Sequence, residues 1–128
     1  LYINKMVIFL KFIFYISLSF LIIISLYPGS LIGYFLYGNL DQQPDLISNP
    51  FGITINHFIS YFYVSILGLF IYINNRKLVF LLFFLAVILE LLHFVIPNRS
   101  FQPSDLVANI LGVVVAYSII KIYLLLKK

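Results

Sequence analysis

Residues 90–112 read ELLHFVIPNRSFQPSDLVANILG and bring Glu90, His93, Arg99, Asp105 and Asn109 close together in the chain. The whole sequence has only four acidic residues and two histidines, so this stretch concentrates most of the chemistry available. The other histidine, His57, stands one helical turn before Tyr61. A carboxylate beside an imidazole can hold and move a proton. A guanidinium offers a planar fork to phosphate or carboxylate. Glu90, His93 and His57 are therefore the candidates for acid–base work, and Arg99, Asp105, Asn109 and Tyr61 the candidates for binding.

Each of these residues also has a purely structural reading. Glu90 and Arg99 can pair to fasten a turn between two helices, and Arg99 can equally pair with Asp105. Ser104 suits the cap of a following helix, where the dipole favours Asp105 in the first turn. A histidine such as His57 often serves as an interhelical hydrogen-bonder. Asn109 and Gly112 suit interhelical bonding and close helix approach. Glu90, His93, His57 and Asp105 are metal-ligand types, but the H-E-x-x-H spacing of a zinc protease is missing and the histidines fall on different helices, so no metal is expected. No cofactor is expected either, since no Gly-rich phosphate loop, nucleophile elbow or dinucleotide fingerprint occurs.

The elements that must position these residues are set by composition. Of 128 residues, 63% are hydrophobic and 9% charged, far from a soluble domain. Cysteine is absent, which excludes disulfides and thiolate metal sites. The +4 net charge comes from lysines and arginines scattered singly or in pairs beside apolar runs. That is no phosphate-tracking face, so nucleic acid is not an expected partner.

A helix needs about 20 mostly apolar residues to cross the hydrocarbon core. Spans are expected at 6–27, 53–73, 78–96 and 104–126, giving an all-α, polytopic four-helix membrane bundle in one domain over 1–128. Residues 28–52 form the long connection, and their LIGYFLYG segment is too short to span and suits the interface. The first stretch also has the basic start and apolar run of a secretory signal peptide, but it is long and no A-x-A-like site follows Tyr27, so it is read as a span.

With four spans, Lys5, Lys11, Arg76, Lys77, Lys121, Lys127 and Lys128 collect on one side, against Arg99 with Asp41 and Asp45 on the other. The positive-inside rule then puts both termini in the cytoplasm. It also puts His57, Glu90 and Asn109 at one depth, roughly 6–9 Å below the outer helix ends. Helical spacing groups His57, Ser60, Tyr61, Ser65 and Gly68 on one face. It likewise groups Ala86, Glu90 and His93, and Asp105, Ala108, Asn109, Gly112 and Ala116. Packed inward, these faces make a polar pocket open to the outside and roofed by the 97–103 loop.

The stretch from His57 onward resembles the VanZ-like family of small bacterial membrane proteins. The resemblance is carried by HFISY at 57–61, ELLH at 90–93 and, above all, NRSFQPSDLVANILG at 98–112, which looks like the family's R-S-x-x-x-x-D-x-x-x-N-x-x-G signature. It covers about the C-terminal 75 residues. Two positions depart from the family pattern: Ile53 and Thr54 stand where an Asp-Lys pair is usual, and His93 where glutamine is common. The resemblance implies a multi-pass protein of the bacterial cytoplasmic membrane with an envelope role, the family being named for a teicoplanin-resistance protein. It does not supply a reaction. The expected partner is a membrane lipid, a lipid-linked envelope precursor or another membrane protein. The alternative is an intramembrane enzyme acting on a lipid phosphate or lipid-linked sugar, with Arg99 holding the anion and Glu90 moving the proton. Transport is a weaker third reading, since four short spans offer no evident path.

Overall fold

The computed structural model describes residues 2–41, 53–97 and 99–128. Asp45, the rest of 42–52 in the expected interfacial connection, and Asn98 of the signature lie outside the described residues. Among the described residues five helices follow in order: α1 (Tyr2–Leu26), α2 (Leu31–Tyr37), α3 (Ile53–Ile71), α4 (Arg76–Leu91) and α5 (Pro103–Lys127). A 3-10 turn at Leu92–Phe94 continues α4. No strand occurs among the described residues.

Three of these segments, Tyr2–Leu26, Arg76–Phe94 and Pro103–Lys127, are long and apolar enough to cross a membrane, while Ile55–Ile71 is a shorter apolar helix. The expectation of four spans therefore meets three long helices and one shorter one. α2 has 7 residues, in line with a segment too short to span.

Helix ends follow local chemistry. Ser30 accepts from the Gly33 amide at 2.9 Å to start α2, and Gly38 closes it in the left-handed region at φ 69°, where the missing Cβ removes the steric cost. Asn75 accepts from the Leu78 amide at 3.1 Å to start α4. The start of α5 differs from expectation. Its N-cap is Gln102, and Pro103 occupies the first helical turn, where its fixed φ fits and its missing N–H is no loss. Ser104 is thus inside the helix and does not cap it. The end of the third span differs too: regular helix stops at Leu91, short of Pro97, and His93 sits on the 3-10 turn.

The core forms along α5. Asp105, Ala108, Asn109, Gly112, Val113, Ala116 and Ile120 are buried, a stripe with steps of three and four that keeps one helical face turned inward. α3 makes the most extensive contact with it, followed by α4. The α3–α5 approach is close enough to require glycine. A Cβ added at Gly112 would fall 2.7 Å from the Phe58 carbonyl oxygen and 2.9 Å from the Phe62 amide nitrogen.

α1 joins from outside. Phe14 is its buried residue, with Leu18, Leu21, Ile22 and Leu26 partly buried along the same stripe. The Phe14 ring fills the space above Gly68 of α3, where an added Cβ would lie 2.5 Å from Cε1. Most other large side chains of α1, including Ile8, Phe9, Phe12, Phe20 and Ile23, are exposed, which suits a helix facing lipid.

Candidate functional site

The start of α3, the end of α4 and the start of α5 meet at one end of the bundle, beside the end of α1. His57 lies in the first turns of α3, Glu90 one residue before the end of α4, and Asp105 and Asn109 in the first turns of α5. Inward helical phase on all three elements brings these side chains together, as the stripes in the sequence led one to expect.

Glu90 is at the centre and 1% exposed. Its Oε1 accepts from His93 Nδ1 at 3.2 Å and from the Gln102 backbone amide at 3.1 Å. Its Oε2 lies 3.9 Å from His57 Nδ1 and has no hydrogen-bond partner. A buried carboxylate oxygen without a donor is costly.

The two histidines do different work. His93 is buried, with Nδ1 on Glu90 and Nε2 2.9 Å from the Ser25 carbonyl of α1. One ring nitrogen thus meets the Glu90 carboxyl and the other a backbone carbonyl, so His93 ties the end of α4 to the end of α1. His57 instead has Nδ1 3.0 Å from Asn109 Oδ1 and Nε2 3.5 Å from Asp105 Oδ2. The Asn109 amide nitrogen donates to the Ala86 carbonyl at 3.2 Å, which turns Oδ1 toward His57. Nδ1 is then the donor, and Nε2 is the nitrogen presented to Asp105. Asn109 thereby links α3, α4 and α5 in one relay.

Arg99 is placed otherwise than the sequence led one to expect. It reaches back to α1, donating from Nε to the Tyr27 carbonyl at 3.0 Å and from a terminal nitrogen to the Ile24 carbonyl. The last carbonyls of a helix lack intrahelical partners, and a cation there is favoured by the dipole. Arg99 and His93 together satisfy carbonyls of Ile24, Ser25 and Tyr27. Burial lowers the Arg99 guanidinium from its ordinary value, and the nearby carboxylates of Glu90 and Asp105 raise it back in part; it stays charged.

Tyr61, expected at the binding surface, is buried in the core, and its hydroxyl has no hydrogen-bond partner among the described residues. Ser60 donates to the Asn56 carbonyl within its own helix at 2.8 Å. The loop over the cluster is held by Phe94 and Phe101, whose rings stack at 4.7 Å.

His57, Glu90 and Asp105 each offer one metal-ligating atom, and these three atoms lie within 4.8 Å of one another. The expectation of no metal rested on the missing H-E-x-x-H spacing and on histidines from different helices; spacing along the chain carries no signal for a set drawn one residue from each of three helices. Sequence reasoning also missed the Gln102 amide and the α1 carbonyls as partners, because backbone groups occur at every position and leave no signal in residue type. No protein-family model, curated protein or solved structure matches the chain.

Proposed function

We propose that the protein is a multi-pass protein of the bacterial cytoplasmic membrane, of the VanZ-like type, that binds a lipid or lipid-linked envelope component in its polar cluster and so alters envelope properties or glycopeptide susceptibility. The observation that carries this reading is the convergence of ionisable side chains from three helices at one end of an otherwise apolar bundle. Such groups are expensive within a membrane and mark sites of function. The side chains of His57 and Asp105 are 16% and 11% exposed, so the cluster opens at that edge and closes at Glu90. In this reading α3 is the fourth span. Its polar residues turned to α5 support that role, because a face of this kind is sheltered from lipid only inside a bundle. The basic residues at the opposite end, among them Arg76, Lys77 and Lys121, support cytoplasmic termini and an outward-facing cluster.

The test is purification with native lipids followed by mass spectrometry of what is retained, for the wild type, Glu90→Gln and Asp105→Asn. The expected result is a headgroup-bearing species enriched in the wild type and depleted in both variants. Equal retention in all three defeats the reading.

A second reading, an intramembrane enzyme acting on a lipid phosphate or lipid-linked sugar, is favoured by the carboxylate–imidazole contacts around Glu90. There Glu90, with His93 or His57, moves the proton. Arg99, with Nε and a terminal N–H engaged by α1, grips an anion only through its remaining N–H groups. Conversion of an added lipid phosphate by wild type and not by Glu90→Gln is the outcome that selects this reading.

A further inference from the structure

We propose that His57, Glu90 and Asp105 form a binding site for a single divalent cation of the zinc class. The site rests on the geometry of the three side chains and is independent of any lipid ligand.

The ligand set has one imidazole and two carboxylates, a combination that suits Zn2+ and similar borderline ions better than Mg2+ or Ca2+, which prefer all-oxygen shells. Ligand bonds of about 2.1 Å in a tetrahedral shell put neighbouring ligand atoms about 3.4 Å apart. His57 Nε2 and Asp105 Oδ2 are already 3.5 Å apart. The set of three lies within 4.8 Å, so closing it around an ion takes a small side-chain movement of Glu90.

Two further observations point to a ligand. The first is Glu90 Oε2, buried and without a hydrogen-bond donor while its sister oxygen is held twice. With Nδ1 directed at Asn109, His57 leaves Oε2 unmet whatever its protonation. A cation between the three side chains answers it. The second is the outer partners of the cluster. Metal-ligating histidines usually donate their other ring N–H to an oxygen that fixes the ring, and ligating carboxylates are themselves hydrogen-bonded. Here Asn109, pinned by the Ala86 carbonyl, accepts from His57 Nδ1, and His93 with the Gln102 amide holds Glu90 Oε1. Three protein ligands leave a coordination position open on the exposed His57–Asp105 side, as in zinc sites that admit water or a ligand oxygen.

The test uses tag-free full-length protein in detergent, stripped with a chelator, equilibrated with Zn2+ or with Mg2+, and passed through gel filtration before elemental analysis. Wild type is expected to retain one Zn2+ per chain and no Mg2+, and Zn2+ is expected to raise its melting temperature. His57→Ala, Glu90→Gln and Asp105→Asn are expected to lose both effects. His93→Gln is expected to keep the stoichiometry at saturation with affinity weakened about 10–100-fold, as for an outer partner. Asp105→Asn is nearly isosteric at the more exposed carboxylate, so it carries the test if the other variants fail to fold. Wild type holding no more zinc than Asp105→Asn overturns the site, and equal retention of Mg2+ overturns the zinc class.

Discussion

Arg99 shows how a residue chosen for its chemistry can be held by architecture. A guanidinium in an apolar chain reads as an anion binder, but here it bonds to the carbonyls of Ile24 and Tyr27. That role gives a direct expectation. Arg99→Ala removes two hydrogen bonds from a charged donor, one exposed and one half-buried, and should cost about 1–2 kcal/mol in all. Arg99→Lys keeps the charge but lacks the planar fork, and should recover only part. Hydrogen exchange over 23–30 reads this out. Faster exchange in Arg99→Ala, with an intermediate rate in Arg99→Lys, is expected; unchanged exchange would mean the contacts hold nothing. The sequence could show that Arg99 needs a partner, and it showed Glu90 and Asp105 as the charged ones in reach. It could not show that the partners include carbonyls on a helix some seventy positions earlier.

At the scale of the helices, the approach of α3 to α5 is set by Gly112. Its added Cβ would meet backbone atoms of Phe58 and Phe62, which cannot turn aside as a side chain can. Gly112→Ala should therefore separate α3 from α5 and lower the melting temperature in detergent by several degrees, the size expected when overpacking costs about 1–3 kcal/mol. Gly68→Ala should be milder, because the obstacle there is the ring of Phe14. Equal melting temperatures for Gly112→Ala and wild type would refute the contact. The faces on α3, α4 and α5 were legible because small and polar residues stand out against apolar ones at steps of three and four. The face of α1 was not, since Phe14 is one aromatic among many and nothing in residue type separates it from the exposed Phe12 or Phe20. The shift of the cap at the start of α5, from Ser104 to Gln102, is a boundary effect of Pro103, which fits the first turn and so draws the cap two positions earlier.

For the whole molecule the open expectation is its orientation. The absence of cysteine gives a clean background for labelling. Cysteine placed at Ser100 should react with a membrane-impermeant maleimide in intact cells, and cysteine placed at Asn75 only after permeabilisation. The reverse pattern would turn the cluster toward the cytoplasm. The opposite end of the bundle carries its own polar contacts, with the Tyr15 and Tyr72 hydroxyls 2.8 Å apart and the Lys11 ammonium 5.3 Å over the Tyr72 ring. α1 is thus clipped near its middle by Tyr72 and at its C-terminal end by His93 and Arg99. Every one of those clips is translated after α1 itself. The first of its partners in chain order is α3, where Gly68 receives Phe14 and Tyr72, just past the helix end, meets Tyr15. The last come from residues 90–105, so the same segment that ties down the end of α1 through His93 and Arg99 also completes the polar cluster.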